Sequence, residues 1–223
     1  MNYKAKMSIA LADNPDHIRQ LCARLAIGTP HLSLSVVQGG FHHRMWQLQT
    51  DDGVYAVKQL STVTDLADQQ VIAHFNFTEA VAEGFRAHGI HSISALPWQG
   101  EYLQLIGDAA YLVYPWSEAR GLAVSQISEQ RALQVADILA TMHRANIAIP
   151  GQERQDEGLH LDDQIIAAVA RAATLHVRYA DELEQALPVF LEIAQRYRSA
   201  VPVLAQHRVI SHGDLDQKNV LWD

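Results

Sequence analysis

The spacing of apolar residues changes period several times along the chain, and those changes predict its elements. Asn14-Pro15-Asp16 has the form of a helix start, with Asn14 as N-cap and Pro15 in the first turn. Ile18, Leu21, Cys22 and Leu25 follow at helical spacing, and Gly28-Thr29-Pro30 ends the run. Leu32 to Val36 then alternates with period two, a strand pattern. Phe41 to Thr50 and Val54 to Leu60 are further strands, joined at the tight-turn signal Asp51-Asp52-Gly53. A helix is predicted from about Asp65 to His88, with Gly89 as its stop. Short strands are read within Ile90 to Trp98 and Glu101 to Ile106, and another at Ala110 to Tyr114, ended by Pro115. With these six short strand segments, residues 1–115 are expected to form an α+β lobe whose antiparallel sheet has five strands, with one main helix.

Past Gly121 the pattern becomes helical. Ser128 is a candidate N-cap for a helix to Arg144, with Leu133, Ala136, Leu139, Ala140 and His143 on one face. Further helices are predicted at Leu161 to Arg178 and Pro188 to Ala200. Val209-Ile210-Ser211 reads as a short strand leading into His212-Gly213-Asp214. The expected division is therefore 1–115 and 116–223, a β-rich lobe and a helical one.

Composition narrows the function classes. The 223 residues are 48% hydrophobic and 19% charged, ordinary for a globular chain. The net charge of −8 argues against a general nucleic-acid binder, which needs a basic surface. The lone cysteine, Cys22, leaves no internal disulfide and no cysteine-rich zinc site. The first residues carry only a short apolar run, broken by Ser8 and Asp13, and no stretch is long enough to span a bilayer. A cytoplasmic protein without a membrane partner is expected.

The segment carrying most chemistry is His212-Gly213-Asp214-Leu215-Asp216-Gln217-Lys218-Asn219, of the form H-G-D-x-x-x-x-N. A carboxylate and an amide on one tight loop can orient a hydroxyl nucleophile and hold a metal ion together. Upstream, Val54-Tyr55-Ala56-Val57-Lys58 puts Lys58 on the same strand face as Val54 and Ala56, unusual for a solvated lysine. The following helix offers two acidic candidates, Glu79 and Glu83. Gly39-Gly40 stands at the first strand turn, where glycines let backbone N–H groups approach an anion. The twelve histidines form no zinc signature and read as surface or hydrogen-bonded residues. The acidic clusters around Asp162 and Asp181 would suit a cationic substrate, but also an ordinary solvated face.

In order and type these motifs resemble the aminoglycoside phosphotransferase and choline kinase-like family. The resemblance implies a protein kinase-like two-lobe fold and ATP-dependent transfer of the γ-phosphate to a hydroxyl of a small molecule. Aminoglycosides, choline, homoserine and sugars are all acceptors among such relatives. It implies Asp214 as catalytic base and Asn219 as magnesium ligand. Lys58 and Glu79 would position the phosphates, Glu79 being preferred because Gly89 follows it at the family-like interval. Gly39 and Gly40 would cover the phosphates. Tyr111-Leu112-Val113-Tyr114-Pro115-Trp116-Ser117 would be the hinge between lobes, with Pro115 and Ser117 at the adenine. ATP and Mg2+ are the implied cofactors.

One family feature is missing from these residues: a second metal-binding Asp some way beyond the Asn. The chain is therefore expected to be C-terminally truncated within its helical lobe, and to bind nucleotide weakly and transfer phosphate poorly. The alternative reading is a catalytically inactive kinase-like binding or regulatory module, or a truncated remnant.

Overall fold

The computed structural model describes residues 9–11, 14–37, 43–149 and 162–223. The chain divides into two compact units, 1–152 together with 210–223, and 153–209.

The larger unit is organised by a six-stranded antiparallel sheet in the order β1-β2-β3-β4-β6-β5. Its strands are β1 (Ile9–Leu11), β2 (Pro30–Val36), β3 (Arg44–Thr50), β4 (Val54–Gln59), β5 (Gln104–Ile106) and β6 (Ala109–Pro115). Helix α1 (Pro15–Leu25) begins as its sequence predicts: Asn14 accepts from the His17 amide and Pro15 opens the helix. Helix α2 (Gln69–Ala87) starts at the Asp68 cap. It ends in a left-handed turn at Gly89, where the Ile90 amide bonds back to the Phe85 carbonyl at 3.1 Å. Helix α3 (Glu129–Ala145) is capped by Ser128 as expected.

Both faces of the sheet are covered. Tyr55, Val57, Tyr111 and Val113 pack with Ile18, Leu21 and Cys22 of α1. Ala110, Leu112 and Tyr114 pack on the other face with Ile72 and Phe75 of α2. That is why Ala110 to Val113 reads as an unbroken apolar run instead of an alternation: every position is buried. A third cluster joins Phe85 and Val81 of α2 to Met142 of α3, Ile147 and Ile210. In α3 that contact falls on Met142, while Leu133 on the predicted face is 59% exposed.

Two departures from the strand assignments are informative. Ile9–Leu11 adds an edge strand paired with Ser33 to Ser35. Residues 90–97, expected as a strand, lie outside the sheet ladder, with a single bridge at Trp98–Glu101. The Leu96 amide donates to the Val113 carbonyl of β6 at 2.7 Å, and other polar groups of this stretch are met by α2. Ser92 Oγ donates to the Ala82 carbonyl at 2.6 Å, Ser94 Oγ to Glu83 at 2.8 Å, and the Ala95 amide to Glu79 at 2.8 Å. A little further on, Asn76 Oδ1 accepts from the amides of Tyr102 and Leu103. One stripe of α2, 76–79–83, thus does what a neighbouring strand would do.

The smaller unit contains α4 (Asp162–Thr174) and α5 (Ala180–Leu204). Arg198 makes a two-pronged bond to Asp162, at 2.9 and 3.0 Å, between them. Among the described residues no helix is long and apolar enough to cross a membrane.

Candidate functional site

Lys58 and Glu79 both lie on the α2 side of the sheet. The register of β3, β4 and β6 pairs Lys58 with Met45 and Leu112, and Ala56 with Gln47 and Tyr114. Alternation therefore turns Lys58 and Ala56 away from α1, as the sequence pattern requires. Burial pulls the Lys58 ammonium below the usual lysine range, and the Glu79 carboxylate pushes it partly back. Among the described residues no direct ion pair joins the two side chains.

Glu79 is 9% exposed and both its oxygens are engaged. Tyr114 Oη donates to Oε1 at 2.7 Å and the Ala95 amide to Oε2 at 2.8 Å. Burial and the Glu79 charge raise the Tyr114 hydroxyl far above the usual tyrosine range, so it remains a donor. Glu83 faces other partners: Arg86 Nε at 2.9 Å and Ser94. The arginine holds its carboxyl below the usual range. Of the two acidic candidates, Glu79 is the one whose charge reaches Lys58.

A shallow hollow of about 150 Å³, lined by Ser35, Gln47, Gln49 and Val54, continues this face toward β2. A second cavity of about 110 Å³ lies under α1 beside His17 and Tyr111, on the opposite face from Lys58. Gly39 and Gly40 lie outside the described residues. His43, which follows them, accepts the Ser61 amide on Nδ1 at 3.1 Å, so that nitrogen carries a lone pair and no proton.

At the end of β6 the Trp116 amide donates to the Val54 carbonyl at 3.1 Å. Pro115 has no N–H. The next amide, that of Ser117, has no hydrogen-bond partner among the described residues, while its hydroxyl accepts from Ala119.

The loop after Ile210 is shaped by its own hydrogen bonds. Gly213 takes φ +78°, the left-handed region that glycine enters freely. The Asp214 amide donates to His212 Nδ1 at 3.4 Å. A single 3₁₀ turn, Gln217–Asn219, then brings Asn219 back onto Asp214. Asn219 Nδ2 donates to the Asp214 carbonyl at 2.7 Å and to Oδ2 at 3.0 Å. Its Oδ1 accepts no hydrogen bond among the described residues. An amide oxygen beside a carboxylate is the hard-oxygen donor set that magnesium takes, so these residues fit the implied metal.

Two supports of this loop carry no sequence signal. His143 of α3 bonds Ser211 Oγ at 3.0 Å. Arg120 and Trp222 exchange two backbone bonds of 2.9 Å, tying the segment after β6 to the residues after Asn219. Tyr114 was visible as part of the hinge pattern, but its bond to Glu79 was not.

A half-buried strand lysine with a helix glutamate, and an Asp-Asn loop on a separate segment, are the arrangement of the kinase-like class of fold. The family model described as "Phosphotransferase enzyme family" matches residues 33–223, and the chain belongs to that family. No curated protein matches it. Among solved structures it is similar to a spectinomycin phosphotransferase in complex with ADP and spectinomycin, at 14% identity and TM-score 0.57. That match covers 94% of this chain and 66% of the other. It is also similar to an amicoumacin kinase in complex with AMP-PNP, Ca2+ and its ligand, at 12% identity and TM-score 0.51, over 75% of this chain and 55% of that one. At these identities the likeness establishes the fold. The chain spans slightly under two thirds of the first of these proteins and about half of the second.

Proposed function

We propose that this chain carries the nucleotide site and catalytic loop of an ATP-dependent kinase that phosphorylates a hydroxyl of a small molecule. The observation that carries the reading is the Asp214–Asn219 pair, hydrogen-bonded across the loop turn. Asp214 accepts the acceptor's hydroxyl proton on its carboxylate. Asn219 holds Asp214 through Nδ2 and keeps Oδ1 for a divalent ion. A bound Mg2+ would supply charge neutralisation on the phosphates. Lys58 binds phosphate oxygens, with Glu79 as its counter-charge. Pro115 and Ser117 border the adenine, with the Ser117 amide as donor, and Gly39 and Gly40 cover the phosphates. Residues 1–115 are the nucleotide lobe in this reading, and 116–223 contribute the catalytic loop.

Family membership and two kinase-like neighbours, one with ADP and one with AMP-PNP, support the nucleotide. Their spectinomycin and amicoumacin ligands support a small hydroxylated acceptor, and an amine-bearing alcohol is the class to try first. The test is ADP release with Mg2+ across a panel of aminoglycosides, aminocyclitols, choline and sugars. Asp214→Ala should abolish transfer while nucleotide binding stays within about twofold. Unchanged turnover in that variant would remove Asp214 from the mechanism.

A further inference from the structure

Glu79 is held from two directions by groups that belong to neither nucleotide nor lysine. One donor, the Ala95 amide, comes from the stretch zipped along α2. The other, the Tyr114 hydroxyl, comes from β6, the neighbour of Lys58's own strand. Tyr114 pairs in register with Ala56, two residues before Lys58 on the same face. The small alanine leaves the tyrosine ring room over the sheet, and the ring packs with the Leu60, Leu103 and Leu112 cluster. Each carboxylate oxygen therefore has one fixed donor and keeps lone-pair capacity for another. A carboxylate with a single donor would rotate about its last torsion, which has only broad minima.

We propose that Tyr114 is a positioning residue for nucleotide binding: together with the Ala95 amide it fixes the Glu79 carboxylate, and through it the Lys58 ammonium. This rests on the reading of Lys58 as the phosphate-binding lysine. A desolvated ammonium depends on a fixed counter-charge to remain protonated and aimed. A charge-assisted hydrogen bond is the device that fixes it. Tyr114 touches neither phosphate nor acceptor in this scheme; it acts through Glu79.

The experiment is calorimetric titration of AMP-PNP with Mg2+ into the full chain: wild type, Tyr114→Phe, Lys58→Ala, and the double variant. Tyr114→Phe should weaken binding about tenfold in the wild-type background, the scale of one charge-assisted bond. In the Lys58→Ala background the same change should cost less than about twofold, because the lysine it serves is gone. A purely structural tyrosine would lose equally in both backgrounds, and that result, or no loss in either, overturns the proposal. If wild type shows no binding that depends on Lys58, the kinase reading and this inference fall together. If Lys58→Ala weakens binding and Tyr114→Phe does not, only this inference falls. Should Tyr114→Phe lack a cooperative thermal transition, the wild-type Ala95 amide decides. A Glu79 carboxylate fixed by both donors keeps the Ala95 bond when Lys58 engages nucleotide, so exchange of that amide hydrogen should be no faster with nucleotide than without, and faster exchange overturns the proposal.

Discussion

Asn219 donates two hydrogen bonds from one nitrogen to Asp214, to its backbone carbonyl and to its carboxylate. The pair is thereby locked as a unit on an exposed loop, where an unrestrained aspartate would sample several rotamers. Asn219→Ala removes both bonds and the free Oδ1. Affinity for Mn2+ in the presence of nucleotide, read by water-proton relaxation, should fall at least tenfold, and turnover by ~100-fold, the effect of misplacing a reacting group. Asn219→Asp keeps an oxygen donor but sets a like charge against Asp214, so one carboxyl of the pair should titrate upward. Unaltered Mn2+ affinity in Asn219→Ala would detach this residue from the metal.

Lys58 makes a pH prediction with a definite sign. Its folded-state pKa lies below the 10.5 of an unburied lysine. Between the lowered value and 10.5 the unfolded chain binds more protons than the folded one, so this group's contribution to stability rises with pH. Buried Cys22 acts the other way: pushed from 9.0 to about 11, its thiol loses stability for the fold as pH climbs through that window. The two separate in a difference measurement. Lys58→Met should be more stable than wild type near neutral pH, and the gap should close toward pH 10.5. A gap that widens with pH would contradict the desolvation argument.

Asn76 is a structural counterpart to the site. Its single Oδ1 satisfies the amides of Tyr102 and Leu103 and so docks the lead-in to β5 on α2. Asn76→Ala leaves two part-buried donors unpaired and should cost ~2–3 kcal/mol in urea unfolding. Asn76→Asp retains the acceptor and should cost under ~1 kcal/mol. Equal losses for the two variants would mean that the side chain's shape, not its oxygen, is what matters.

Local signals explain most of what the sequence foretold. Asn14, Ser128 and Gly89 sit at helix ends because each solves a backbone problem within a few residues, and a local solution is legible. The strand face of Lys58 was legible for the same reason, since alternation is a property of the chain itself. The stretch 90–97 forms no strand because, apart from the Leu96 bond to Val113, its polar groups pair with the backbone and side chains of α2, and Ser92, Ser94 and Glu79 carry no mark of whom they will meet. In α5, Pro188 and Pro202 lie inside a helix running Ala180–Leu204, where a helix starting at Pro188 was expected. Periodicity alone did not separate Glu79 from Glu83, since both lie on adjoining turns, and the preference for Glu79 came from the family resemblance and its interval to Gly89. Arg86, three residues from Glu83, is what engages the second.

Gly213 tests whether the catalytic loop is shaped by backbone conformation or by space. Its φ is +78°, and a Cβ built there would meet nothing within 4 Å. Sterics with the rest of the protein therefore cannot discriminate among substitutions, and only the left-handed backbone can. Alanine in that conformation is strained by ~1–2 kcal/mol, whereas asparagine tolerates it better despite its greater bulk. Mn2+–nucleotide affinity should consequently fall in the order Gly213, Gly213→Asn, Gly213→Ala, with the alanine variant roughly tenfold below wild type for ~1.4 kcal/mol of strain. Were volume the governing factor, the order of the two variants would invert, and asparagine would bind worst. The same reasoning explains why the strain would appear in function before stability. The loop is exposed, so relaxing it costs the core little, but any relaxation moves the Asp214 amide from His212 and turns the carboxylate away from Asn219.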